Sequence, residues 1–118
     1  MVLADTSIWV DHLRVDDPRL RSAIADSELL VHPAVIGELA CGTLPDRSDY
    51  LSYLADLPSA SVADEEATLF VIESRKLWGK GIGWTDAQLV ASALLSGCEL
   101  WTHDKQLQKV AVALSIAY

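Results

Sequence analysis

Val2-Leu3-Ala4-Asp5-Thr6-Ser7 is the stretch on which the reading of the fold turns. A short apolar run that ends abruptly in a carboxylate and two hydroxyls, and then passes into a helical pattern, is the opening of a βα unit. Strands of parallel sheets are covered on both faces and so read as unbroken apolar runs. In such sheets ligands bind just beyond the carboxyl ends of the strands, where this reading sets Asp5. A plain structural role fits as well, because Asp5 or Thr6 can cap the following helix by accepting from its free backbone N–H groups. The rest of the chain has to decide between the two.

Working outward, Ile8 to Leu13 reads as a helix, and Pro18 opens a second one carrying Leu20 and Ile24. Glu28-Leu29-Leu30-Val31 reads as a second strand, and Pro33 then opens a helix that runs to Gly42 and contains Glu38. Asp46 to Leu57 is an amphipathic helix stopped by Pro58, and Ser61-Val62-Ala63 suggests an edge or third strand. Asp64-Glu65-Glu66 begins a helix with its acids at the positive end, carrying Leu69, Phe70, Ile72, Leu77 and Trp78. Gly79-Lys80-Gly81-Ile82-Gly83 lacks dinucleotide-binding spacing and reads as a turn delivering Trp84-Thr85-Asp86 to the next helix, with Thr85 and Gln88 as a capping box. Cys98 or Glu99 through Thr102 is another strand, followed at once by His103 and Asp104; Lys105 to Leu114 is a helix and Ser115 to Tyr118 a last strand. Strands alternating with helices give the α/β class with a parallel sheet.

The 118 residues are read as a single domain, 1–118, with no repeat or linker. A hydrophobic fraction of 51% fills a core and leaves apolar surface for a homo-oligomer or a tightly held protein partner. Met1 runs straight into a strand and no apolar run approaches the ~20 residues of a membrane span, so the expectation is a soluble, cytoplasmic protein. Cys41 and Cys98 lack metal-ligand spacing and are expected as buried free thiols. The net charge of −8 argues against a protein that holds nucleic acid mainly by neutralising phosphates, but not against a nuclease whose carboxylates are offset by bound cations. Arg14, Arg19 and Arg21 form the densest local basic cluster, either a solvated helix face or a phosphate-contacting rim.

Four acids share one description: Asp5 and Asp104 after strands, Asp86 at a helix start and Glu38 on the margin of an apolar helix face. Asp86 shares its face with Leu89, Val90 and Ala93, the side that packs on a sheet. Two unit charges ~4 Å apart repel by roughly 4 kcal/mol at an effective dielectric of 20, so clustered carboxylates need protons or a metal. All-oxygen donors select hard cations such as Mg²⁺ or Mn²⁺, which can activate water against a phosphodiester. Thr6, Ser7, Thr85 and Thr102 are placed to orient ligands or waters around them. Trp9, Trp78, Trp84 and Trp101 are expected in the core or a dimer contact rather than stacked on bases. His12, His32 and His103 lack zinc spacing, and no Gly-x-Ser-x-Gly occurs for a serine hydrolase. The second aspartate of a haloacid-dehalogenase-type phosphotransferase is missing after Asp5, as are the paired acids of a receiver domain.

With these residues in view, the sequence resembles the PIN-domain ribonucleases, and among them the VapC toxins of bacterial toxin–antitoxin pairs. Val2 to Arg14 resembles the family's opening, Gly37-Glu38-Leu39-Ala40-Cys41-Gly42 its glutamate helix, Gly83-Trp84-Thr85-Asp86-Ala87 its third acid and Leu100-Trp101-Thr102-His103-Asp104 its fourth. The resemblance covers the chain in order and implies a PIN-like α/β/α sandwich around a central parallel sheet. It implies a Mg²⁺-dependent endoribonuclease with Asp5, Glu38, Asp86 and Asp104 as catalytic acids, the metal on Asp5, Asp86 and Asp104, and Mn²⁺ as a substitute. It implies further a homodimer acting on RNA and inhibited by a cognate antitoxin. A PIN-fold regulator without nuclease activity, or a stand-alone RNA-processing nuclease, is the alternative.

Overall fold

The computed structural model describes residues 1–118 and centres on β1 (Val2–Ala4). This strand pairs in parallel with β2 (Leu29–Leu30) on one side and β3 (Glu99–Trp101) on the other, giving the order β2-β1-β3. Leu3 lies beside Leu30 and Leu100, and all of β1 is buried, as a strand covered on both faces must be. The sheet is widened at each edge by a single parallel bridge, Val31 with Ser59 and Leu100 with Ala117. The expected strand at Ser61-Val62-Ala63 is therefore displaced to Ser59. Val31 exchanges backbone bonds with Pro58 and Ala60, whereas Ser61 and Ala63 turn their N–H groups to the hydroxyls of Ser96 and Ser92. The last strand likewise reduces to the bridge at Ala117, held by bonds between Leu100 and both Ile116 and Tyr118.

Helices α1 (Thr6–Arg14), α2 (Pro18–Ala25), α3 (Pro33–Cys41), α4 (Arg47–Asp56), α5 (Glu65–Arg75), α6 (Trp84–Ser96) and α7 (Lys105–Ala113) flank this sheet. α3 packs between α1 and α4, while α6 packs on β1 and β3 and carries α5 outside it. Apolar periodicity decides which face each buries: Ala87, Leu89, Val90, Ala91 and Ala93 of α6 all enter the core. Two boundaries differ from the sequence reading. α5 stops at Arg75 because Lys76 takes a left-handed conformation at φ 55°, which frees Leu77 to turn into the core and leaves Trp78 outside. α6 begins at Trp84 with Gly83 as its cap, so Thr85 and Gln88 do not form its capping box. Gly97, at φ 65°, closes α6 in the left-handed region that favours glycine. Both cysteines are free, but only Cys98 is buried; Cys41 is exposed at the end of α3.

A buried polar network ties three of these elements together. His32 caps α3 by accepting from Ala34 N–H at Nδ1, which places its proton on Nε2, 3.0 Å from the Ser92 hydroxyl of α6. Ser92 also accepts from Ala63 N–H. Burial holds His32 below its ordinary pKa, so the imidazole stays neutral in this setting.

Candidate active site

The backbone of β1 ends at Asp5, whose N–H donates to Trp101 of β3, and the two strand ends are thereby locked side by side. Asp5 is buried and is the N-cap of α1. Its Oδ1 accepts from Ser7 N–H at 2.9 Å, from the Ser7 hydroxyl at 2.5 Å and from Ile8 N–H, and its Oδ2 accepts from the Thr102 hydroxyl at 2.5 Å. The capping and site readings of Asp5 thus do not exclude one another. A capping role fixes the carboxylate at the end of the central strand with its rotamer set from both sides. Ser7 and Thr102 are in turn fixed by the loop after β3: His103 N–H donates to Ser7 Oγ and Asp104 N–H to Thr102 Oγ1, each at 2.9 Å.

Asp104 is the exposed N-cap of α7, with Oδ1 accepting from Leu107 N–H. Asp86 lies half-buried in the first turn of α6, with Oδ2 accepting from Gly83 N–H at 3.3 Å. Its carboxyl is held above the ordinary value by burial first, against the opposing Gly83 hydrogen bond, and then by the charges of Asp104 and Asp5. The charges of two acids distant in sequence thus reach Asp86. Glu38 stands apart from this set. It is exposed on α3, makes no hydrogen bond or ion pair, and is not among the charges acting on Asp86, so the expected cost of a carboxylate on a buried margin does not arise.

No group of three or more His, Cys, Asp and Glu side chains closes into a direct metal-ligand shell. Several of the acids' oxygens accept hydrogen bonds from the protein: both of Asp5, one of Asp86 and one of Asp104. Asp86 Oδ1 and Asp104 Oδ2 are left without a protein partner, and the Thr6 hydroxyl beside Asp5 is buried and unpaired. Mutually repelling hard oxygens with two uncommitted carboxylate atoms suit a divalent cation that keeps most of its water and takes one or two direct ligands.

Other expectations resolve differently. Ser7 and Thr102 do hold Asp5, whereas Thr85 makes no side-chain bond. The Arg19 and Arg21 part of the basic cluster is neutralised locally, Arg21 by Asp16 at 2.8 Å and Arg19 beside Asp17 while its guanidinium lies over Trp101. Trp9 and Trp101 are core residues, but Trp78 and Trp84 are exposed. Sequence reasoning missed the pair formed by His103 Nδ1 and Asp11 Oδ2 at 2.5 Å on the rim of the site. Ninety-two positions separate them, and neither carries a periodic or capping signal.

Residues 2–113 match the PIN domain family. Over 118 aligned residues, 99% of this chain and 95% of the relative, the sequence is 42% identical to Ribonuclease VapC32 of Mycobacterium tuberculosis strain CDC 1551 / Oshkosh. The same figures hold for Ribonuclease VapC32 of strain ATCC 25618 / H37Rv. Among solved structures, the crystal structure of PAE2754 from Pyrobaculum aerophilum is similar in fold, with a TM-score of 0.62 at 19% identity over 93% of this chain and 78% of that one. The ordered acids, the parallel sheet that carries two of them at its strand ends and these likenesses converge: the chain belongs to the PIN-domain family and is VapC-like within it.

Proposed function

We propose that this chain is a Mg²⁺-dependent endoribonuclease, the toxin of a toxin–antitoxin pair, with Asp5, Glu38, Asp86 and Asp104 as its catalytic acids. The observation that carries the reading is geometric: at the ends of β1 and β3 the Thr102 hydroxyl donates to Asp5 and accepts from Asp104 N–H, joining two of the acids, and the charges of both reach Asp86, whose carboxyl is raised first by burial. The printed name of the 42%-identical relatives, Ribonuclease VapC32, supports RNA as the substrate.

A bound divalent cation, Mg²⁺ or in its place Mn²⁺, supplies charge neutralisation at the phosphodiester and lowers the pKa of an attacking water. The chain's own part is positional. Ser7 and Thr102 hold Asp5 in one rotamer, Gly83 N–H orients Asp86, and Leu107 N–H orients Asp104, which leaves one oxygen each of Asp86 and Asp104 that would hold such a cation. Glu38, unencumbered on α3, contributes its carboxylate from outside this group. The acidic pocket of a chain carrying −8 suits a basic segment of a cognate antitoxin, and the exposed Leu69, Phe70 and Leu95 suit a second copy of the chain. No helix is long and apolar enough to cross a membrane.

The test is cleavage of total RNA by the antitoxin-free protein with Mg²⁺, Mn²⁺ or EDTA, beside the Asp5→Asn variant. Cutting that needs the metal and disappears in the variant is expected. Folded protein that binds Mg²⁺ and cuts nothing, or cutting unchanged in EDTA, would sink the proposal.

A further inference from the structure

The cations of this chain are unevenly matched. It has 9 Lys and Arg against 17 Asp and Glu, and its ion pairs involve His12, Arg19, Arg21 and His103. Seven of the nine Lys and Arg have no such pair, and three of these, Arg75, Lys80 and Lys109, from the end of α5, the glycine turn and α7, line one cavity of about 610 Å³ that includes no acid. In so acidic a protein, three unpaired cations gathered around one space form a focused positive field that attracts an anion.

The floor of that cavity is apolar, and Leu77 in it is shared with a neighbouring cavity of about 200 Å³ lined by Trp78, Ile82, Gly83 and Trp84. Trp78 is 60% exposed and Trp84 is 44% exposed, whereas Trp9 and Trp101 are 1% and 3%. The glycine turn that lines both cavities is tied to the helices that carry two of the acids. Gly83 donates to Asp86, and Gly81 packs so closely on Gln106, in the first turn after Asp104, that an added Cβ would lie 3.1 Å from it. Unpaired cations and exposed indoles on a turn bonded to Asp86 are the parts from which single-strand channels are built: cations follow the backbone while aromatic faces take the bases.

We infer that the RNA strand on one side of the scissile bond lies along this track, its phosphates on Arg75, Lys80 and Lys109 and its unstacked bases against Trp78 and Trp84. The inference rests on the nuclease reading for the identity of the ligand. Charge favours RNA over a second copy of the chain, which brings a net −8 without a regular phosphate spacing. Exposed indoles favour a single strand over a duplex, whose bases are stacked and unavailable.

The test is fluorescence anisotropy of a labelled single-stranded oligoribonucleotide of mixed sequence, in EDTA so that binding is read without cleavage. Lys80→Ala with Lys109→Ala, and separately Trp78→Ala, should weaken binding by about tenfold, with Arg21→Ala close to wild type. The salt dependence of the lysine pair variant should flatten by roughly 1.4, about 0.7 per lost phosphate contact. Lys80→Arg with Lys109→Arg should restore affinity, which separates lost charge from lost folding. Affinity unchanged in the alanine variants would overturn the track, as would a change of oligomeric state in light scattering that accounts for the whole loss, since the face would then be a chain–chain contact. Binding lost in the variants while no RNA is cut by wild type would leave the track standing and sink the nuclease; metal-dependent cutting with unaltered binding would do the reverse.

Discussion

At Asp86 the hydrogen bond from Gly83 draws the carboxyl down, burial and the charges of Asp104 and Asp5 push it up, and the upward push is the larger. A carboxyl raised in the folded state binds its proton more tightly there than in the unfolded chain. Its contribution to stability is thus fullest below the ordinary carboxylate range and is lost as pH rises through the raised value. Asp86→Asn should lower cleavage by on the order of 10²-fold or more while leaving the metal-free protein at neutral pH at least as stable as wild type. Urea unfolding in EDTA across about pH 4 to 7 checks this: the gap between variant and wild type should widen in the variant's favour with rising pH. Retained cleavage with lost stability would make Asp86 a structural cap only. Thr102→Val keeps the shape of the side chain and removes the hydroxyl that donates to Asp5 Oδ2. Cleavage should fall by roughly 10- to 100-fold, as for other groups that orient a metal-binding side chain, with Mg²⁺ affinity falling in parallel by titration calorimetry.

Between elements, the His32–Ser92–Ala63 network joins the start of α3 to α6 and to the segment before α5. Here the pH sign is opposite to that of Asp86. A histidine held below its ordinary pKa by burial binds fewer protons when folded, so its neutral form supports the fold at high pH and that support is lost as pH falls below about 6.5. His32→Ala should cost about 1–3 kcal/mol for the Ala34 N–H left unpaired and the lost bond to the Ser92 hydroxyl, more if the space does not close, and should flatten the pH dependence near neutrality. Denaturant midpoints at a series of pH values read both, and a His32→Ala protein that still loses stability on acidification as wild type does would remove His32 from the account. The element boundaries teach a related point. The early stop of α5 at Lys76 sends Leu77 inward and Trp78 outward, and both walls of the aromatic cavity depend on that single left-handed residue.

For the molecule as a whole, excess negative charge and a cluster of repelling acids mean that a divalent cation should stabilise the fold as well as serve the reaction. Mg²⁺ at about 100 times its dissociation constant should add roughly 2.7 kcal/mol, seen as a rise in Tm that EDTA reverses and that Asp86→Asn diminishes. A Tm indifferent to Mg²⁺ in wild type would count against a cation at this site. The two charge patterns occupy different parts of the surface: acids at the strand ends, unpaired cations beyond the glycine turn. Net charge alone hides that division, and so the value of −8 said little about where RNA could lie.

The sequence by itself determined the α/β class, the first and last pairing strands of the sheet, and the positions at which acids follow strands or open helices. These are local consequences of apolar runs, periodicity and capping chemistry, which act over a few residues. Only the tertiary structure decided which acids meet. Asp5, Asp86 and Asp104 converge because β1, β3 and α6 pack together, and Glu38 stays exposed because its face of α3 has no neighbour over it. The same holds for the tryptophans, whose composition suits a core but of which two lie outside; the densest basic cluster, by contrast, is largely neutralised by Asp16 and Asp17 of the same stretch. The cations around the cavity come from two stretches, Arg75 and Lys80 from one and Lys109 from α7. Burial and the meeting of acids from different elements are properties of packed neighbours at long sequence separation, and no pattern of spacing within one segment encodes them.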